Sequence, residues 1–372
     1  MKPSFLPEPM AAQPWRVIIP LTLLTFFGAA VLYSAAGGSF QPFASSQLIR
    51  YFIFLILALV ASYMPQHIVK MAAFPIYGAV VLLLFGVEAV GAIGGGSQRW
   101  LNIGPLVLQP SELMKPAIVL VLAQFYHSLP PGMTGSWRAL IPAGVLLAVP
   151  MALVMAQPDL GTSLAIAFGG IVVMFMAGLP MKWFIGGGVA GLIAVPLAFF
   201  FGLEEYQQRR VTTFLDPESD PLGAGYHITQ SKIAIGSGGL FGKGFGNGTQ
   251  SHLNYLPEPH TDFVFATMAE EWGLLGGLAV LLIFGLVLRW GMNVSRRAPD
   301  RFSSLLAGGM TATIFFYVAI NLMMVMGLAP VVGIPLPFMS HGGSSMMTNM
   351  ICVGTIMMVD RWSQSTQSSG FR

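Results

Sequence analysis

Apolar stretches of about 18–20 residues recur along this chain, and that recurrence limits what it can fold into. A stretch of this length crosses a ~30 Å hydrocarbon core as a helix. Inside lipid, every backbone N–H and C=O must find its partner within protein, which leaves helices as the spanning element for such runs. Ten spans are expected, at approximately Val17–Ala35, Leu48–Met64, Met71–Ala92, Glu112–Tyr126, Ala139–Met155, Leu160–Leu179, Trp183–Gly202, Phe263–Leu288, Ser303–Met326 and Ser344–Asp360. Composition agrees: 55% of residues are hydrophobic and only 9% charged, against ~25% charged in soluble domains. The expected fold class is an all-α integral membrane protein, a single polytopic domain over residues 1–372.

A net charge of +3 is too small and too dispersed to argue for nucleic acid as a partner. Cys352 is the sole cysteine, which excludes disulfides and cysteine-based metal sites. The first apolar run lacks a clear small-residue cleavage site and reads as a retained anchor. With the N-terminus inside, Lys2, Arg16, Lys70, Arg138, Lys182, Arg289, Arg296, Arg297, Arg301, Arg361 and Arg372 fall in the cytoplasm. Most of the basic residues of the short loops then lie inside, so both termini are expected to be cytoplasmic.

Residues 203–262, between spans seven and eight, form a loop far longer than ordinary connections, and so one with a function of its own. Short helices are expected in it around Glu204–Phe214 and Tyr226–Ile235, followed by the glycine-rich "GSGGLFGKGFGNG". The plain alternative is a disordered linker.

On this topology the polar residues crowd at the outer ends of the spans. Glu112 and Lys115 open span four, Asp159 precedes span six in "QPDLGTSL", Asp262 precedes span eight, and "GIPLPFMSHGGSS" leads into span ten. Ionisable residues at membrane depth usually face a bundle interior or a wet cavity, so a cavity open to the outer face is expected. Each residue also has a structural explanation. Glu112 and Lys115 are spaced to pair on one helical face. Asp159 and Asp262 each stand where an acid complements a helix N-terminus. Glu270 and Glu271 either bond neighbouring helices or border a polar channel. The histidines show no metal spacing. Among the outer basic residues, Arg99, Arg209, Arg210, Lys232 and Lys243 have the chemistry to surround an anionic group, or else meet lipid headgroups. Trp100 is placed to pack at the interface or to stack on a sugar.

A lipid-linked sugar pyrophosphate entering from the side suits this set. Cationic groups would stabilise the departing pyrophosphate, and one base would activate the incoming hydroxyl from the opposite face of the sugar, as in inverting glycoside hydrolysis. Asp262 is the expected base.

The segments "LPEPHTDFVFATMAEEWG", "GGGSQRWLNIGPLVLQPSELMKPA", "QPDLGTSL" and "IPLPFMSHGGSS" resemble, in order and over nearly the whole chain, the SEDS family of shape, elongation, division and sporulation proteins. "PFMSHGG" and the short N-terminal tail bring it nearer the elongation members than the division members. The resemblance implies a peptidoglycan glycosyltransferase of the bacterial inner membrane that polymerises lipid II, with its active site facing the periplasm. Asp262 matches the family's essential aspartate and Trp100 an important tryptophan. Glu112, Lys115 and Asp159 match polar residues of a central cavity. The resemblance further implies a class B penicillin-binding protein and the MreB machinery as partners. Lys115, Arg209, Arg210 and Lys232 are candidates for contacts to substrate, in part through phosphate, and a divalent cation (Mg or Mn) is a possible helper without a closed ligand set. A lipid II flippase and a noncatalytic scaffold for the crosslinking enzyme are the alternatives.

Overall fold

A computed structural model describes residues 13–90, 92–94, 97–103, 106–201, 208, 212–213, 216, 224–253, 255–256 and 258–369. The first helices are α1 (Trp15–Ala35), α2 (Phe43–Ala61) and α3 (Gln66–Val90), followed by α4 (Pro110–Ser128), α5 (Trp137–Ala156), α6 (Leu160–Met176) and α7 (Met181–Phe201). After the long loop come α10 (Val264–Arg297), α11 (Arg301–Val325) and α12 (Gly343–Ser369). Within the loop stand α8 (Ala224–Ser237) and α9 (Thr249–His252). The expected helix at Tyr226–Ile235 is therefore present, whereas most of Glu204–Phe214 lies outside the described residues.

Among the described residues six helices are long and apolar enough to cross a membrane: Trp15–Ala35, Phe43–Ala61, Gln66–Val87, Trp137–Ala156, Val264–Arg297 and Arg301–Val325. Leu160–Met176 and Met181–Ala194 are shorter apolar helices. Helices α4 and α12 are more polar, and the reason is their place in the bundle. Helix α4 packs against α3, α6 and α11 and is buried almost throughout its first fourteen residues, so Glu112 and Lys115 face protein rather than lipid. Helix α12 likewise buries Thr348 and Asn349. Helix α7 is the opposite case: beyond Lys182 in its first turn it is apolar throughout, and it exposes Leu192 and Phe200 on a surface that suits lipid rather than water.

Two features were not legible in advance. A small antiparallel sheet of β1 (Ala92–Gly94), β2 (Ser97–Ile103) and β3 (Leu106–Leu108) joins α3 to α4, with Ala92 opposite Trp100 and Leu101 opposite Leu108. Helix α10 is also broken, since Gly273 takes φ 63° and ψ −160°. The glycine-rich loop fills this break. Lys243 N donates to Glu270 O (2.9 Å), Gly244 N to Glu271 O (3.0 Å), and Leu274 N to Gly239 O (2.9 Å). A Cβ on Gly242, itself at φ +82°, would stand 2.0 Å from the Glu271 carbonyl oxygen, so the approach requires glycine. These bonds satisfy the backbone groups that the break releases.

Glu270 and Glu271 complete this joint. Glu270 accepts from the Thr249 and Gln250 amides and from Lys243 Nζ (2.7 Å). Glu271 accepts from the Ser34 hydroxyl of α1. The two acids are thus structural, and Lys243 is tied to Glu270 rather than left to an anion.

Strand β2, the β3–α4 connection and the connections α5–α6, α9–α10 and α11–α12 gather at one end of the bundle, where their residues line a common cavity. At the other end Lys70 Nζ meets Asp300 Oδ2 at 2.9 Å, and hydrogen bonding there holds the Asp300 carboxyl down at about 2.

Candidate active site

The cavity at the loop-rich end measures about 560 Å³ and has a mixed polar and apolar wall. Arg99, Trp100, Gln109, Glu112, Asp159, Glu258, Thr261, Asp262, His341 and Ser344 line it. Four of the residues expected from sequence thus converge from four separate segments: Trp100, Glu112, Asp159 and Asp262.

Their surroundings differ, and those differences assign their chemistry. Asp159 is the N-cap of α6 and accepts from Thr162 N at 3.1 Å. Gln109 Nε2 (3.3 Å) and the Arg99 guanidinium (3.8 Å) also approach it. Capping and cavity-lining are both realised in this one side chain. Arg99 also donates to the carbonyls of Gln157 (3.0 Å) and Pro158, which ties the sheet to the α6 entry.

Glu112 closes a triad. Lys115 Nζ donates to Glu112 Oε1 at 2.5 Å and to Tyr317 Oη at 2.6 Å, and the Tyr317 hydroxyl donates to Glu112 Oε2. Lys115 is only 1% exposed, beneath the cavity rather than in its wall, so the paired reading of this i,i+3 couple is the one observed. A buried ion pair so fully bonded is costly to break by removing one member.

Asp262 contrasts with both. Its backbone lies in the turn before α10, whose N-cap is Phe263, so the carboxylate does not cap the helix as its position implied. The turn is held by Phe263 N and Thr261 N donating to Glu258 O (3.4 and 3.2 Å) and by Asn321 Nδ2 donating to Asp262 O (2.9 Å). Among the described residues its carboxylate has no hydrogen-bond or ion-pair partner; it faces the cavity beside Gly333. Burial, and secondarily the Glu258 carboxylate, push it up to about 6. The opposing effects on this group thus resolve toward a more basic carboxylate, because no described cation is bonded to it.

The chain matches the Cell cycle protein family that groups FtsW, RodA and SpoVE over residues 14–365. It belongs to that family. It is 43% identical over 351 residues to the peptidoglycan glycosyltransferase MrdB of Escherichia coli K12, covering 93% of each chain. It is 40% identical over 287 residues to stage V sporulation protein E of Bacillus subtilis, covering 76% of this chain and 77% of that one. Among solved structures it resembles the rod shape determining protein RodA of Thermus thermophilus, with a TM-score of 0.71 at 29% identity, covering 94% of this chain and 97% of that one. A chain of a peptidoglycan synthase complex that coordinates polymerization and crosslinking gives a TM-score of 0.81 at 30% identity, with 94% and 98% covered.

Within this SEDS fold several neighbours of Asp262 escaped the sequence reading. Arg50, half-buried in α2, carries no acidic partner among the described residues. It lies against Gly343 and has its Nη1 3.4 Å from His341 Nε2. A lone arginine inside an apolar span was the available signal. His260 stacks on Phe43 with ring centroids 4.0 Å apart, and His341 N donates to His260 O at 2.8 Å. Burial lowers both imidazoles, and Arg50 lowers His341 further. Lys232 lies on the exposed side of α8 over the Gly327 turn and does not line the cavity. Arg209 and Arg210 lie outside the described residues.

Proposed function

We infer that this chain is a peptidoglycan glycosyltransferase in which Asp262 is the base. The observation that carries the reading is the Asp262 carboxylate itself: without a partner among the described residues, raised to about 6, and aimed into a polar cavity of a family whose relatives bear that activity by name. A base must be ionised at working pH and still take a proton, and a carboxyl near 6 meets both needs.

The donor is a glycan strand on undecaprenyl pyrophosphate, and the acceptor is the GlcNAc 4-hydroxyl of lipid II. Asp262 takes the hydroxyl proton while that oxygen attacks the donor anomeric carbon from the face opposite the pyrophosphate. The new glycosidic bond forms as the carbon–oxygen bond to the pyrophosphate breaks, inverting the centre. The leaving group takes the electron pair and departs as the undecaprenyl pyrophosphate anion. Arg99, which lines the cavity, and Arg50, which lies against His341 and Gly343 of its wall, are the described cations for that developing charge. Arg209 and Arg210 are further candidates, and Lys115 acts by holding Glu112 in the wall. Trp100 offers an aromatic face to a sugar ring. Among the described residues no three His, Cys, Asp or Glu side chains stand together as a metal site, and a divalent ion held chiefly by the pyrophosphate oxygens would add charge stabilisation to that of the arginines.

In this reading ten helices cross the bacterial inner membrane with both termini cytoplasmic, and the cavity opens to the periplasm. Lys70, Arg138, Lys182 and Arg301 then sit inside. The partner is a class B penicillin-binding protein, supported by the likeness to a synthase complex, within an MreB-organised elongation machinery. Purified lipid II supplied to the protein in vesicles, with and without that partner, tests the reading. Glycan strands from wild type and none from Asp262→Asn are expected. Headgroup translocation without polymer would instead make the protein a flippase, and full polymerisation by Asp262→Asn would remove the base.

A further inference from the structure

A second large cavity, of about 620 Å³, lies at the end of the bundle opposite Asp262. Three helices meet there: the start of α1 with Trp15 and Arg16, the last turns of α10 with Arg289, Trp290 and Arg297, and the C-terminal part of α12 with Asp360. On α10, Arg289, Asn293 and Arg297 are spaced i, i+4 and i+8, and so share one face.

The charge in this cavity is unbalanced. Among the described residues Asp360 is the only acid in its wall, and it lies within electrostatic reach of Arg297. Arg16 and Arg289 have no acidic partner among the described residues. Helix-dipole compensation accounts for Arg297, in the last turn of α10. It does not account for Arg289, two turns earlier. For Arg16 it has the wrong sign, since a cation in the first turn of α1 opposes the dipole. Trp15 and Trp290 are half-buried beside these arginines, and Leu286 continues the wall toward the apolar part of α10. Two guanidinium forks, two tryptophans at the membrane interface and an adjoining apolar surface match an anion that carries an acyl chain.

We propose that this cavity binds the phosphate headgroup of an anionic phospholipid between Arg16 and Arg289. The chemistry recognised is a phosphodiester in a headgroup of net negative charge, with no choline-type cation to offset it, and basic pockets between transmembrane helices hold such headgroups in this way. The site neither contains nor touches the catalytic cavity, so it stands whether or not Asp262 is the base.

Native mass spectrometry of the full-length protein in detergent, titrated with phosphatidylglycerol or phosphatidylcholine, tests the assignment. Wild type should retain a phosphatidylglycerol adduct at lipid concentrations about tenfold below those needed by Arg16→Gln/Arg289→Gln. Phosphatidylcholine should bind both proteins alike. Arg289→Gln alone, with a smaller shift in the same direction, serves if the double variant misfolds. Equal phosphatidylglycerol retention by wild type and variant overturns the site. Displacement of the adduct by inorganic phosphate at equal concentration overturns the lipid assignment and leaves a soluble-anion site.

Discussion

Asn321 reaches across from α11 and donates one hydrogen bond to the carbonyl oxygen of Asp262 (2.9 Å) and another to that of Ile334 (2.8 Å). One buried amide therefore joins the turn carrying Asp262, the proposed base, to the loop that runs beside it. Asn321→Leu leaves both carbonyls without this donor, at a cost of about 1–3 kcal/mol for each group left unsatisfied. Lipid II polymerisation should fall by about a hundredfold, as expected for a misplacement of order 1 Å, while the variant still inserts and purifies. Wild-type rates from Asn321→Leu would show that the base does not depend on this tie.

The pH profile follows from Asp262. Activity should fall about tenfold per pH unit below about 6 as the carboxylate gains its proton. Glu258→Gln removes the second cause of the raised value, so the acid limb should move to lower pH. Initial rates between pH 5 and 8 read both effects; an unmoved limb in Glu258→Gln would show that burial alone sets the value.

The same group has a stability signature. Its folded pKa lies above the ordinary 3.8, so the protonated form is the one that folding favours. That stabilisation is complete below 3.8 and is lost as pH rises through about 6. At pH 8 the ionised carboxylate is therefore a burden, and Asp262→Asn should raise the melting temperature by a few degrees while abolishing activity. At pH 4 the gain should vanish. Thermal unfolding at the two pH values checks the sign.

The Glu112–Lys115–Tyr317 triad predicts a strong coupling. Lys115→Met alone leaves a buried carboxylate without its cation and should cost about 3–5 kcal/mol. Glu112→Gln/Lys115→Met should cost less than the sum of the single changes. A double-mutant cycle by thermal or denaturant unfolding in detergent measures the coupling, and simple additivity would mean that the pair is not a unit.

Gly242→Ala tests the joint in α10. The added Cβ would stand 2.0 Å from the Glu271 carbonyl oxygen, at a backbone angle that favours glycine, so the loop must leave the break. Limited proteolysis between residues 238 and 250 should become fast in the variant. Unchanged resistance would show that the loop is held elsewhere.

Much of the architecture was legible because lipid leaves so few choices. Helix positions followed from apolar length, and the observed helices begin and end within a few residues of the expected spans, except at α2, α3, α10 and α12. Helix α10 runs on to Arg297 because its last turns pass beyond the apolar run, which length alone does not report. The β1–β3 sheet was missed because its strands are short and set among glycines.

By itself the sequence determined that the chain is helical and membrane-embedded, to which family it belongs, and that its acids crowd near helix ends. Those properties follow from apolar length and from motifs read within one segment. Only the tertiary structure decided which acid is available for chemistry. Glu112 is taken by Tyr317, 205 residues away, and Glu271 by Ser34, 237 residues away, whereas nothing described reaches the carboxylate of Asp262. A carboxylate's basicity is set by what surrounds it in space, and a one-dimensional pattern does not contain those neighbours.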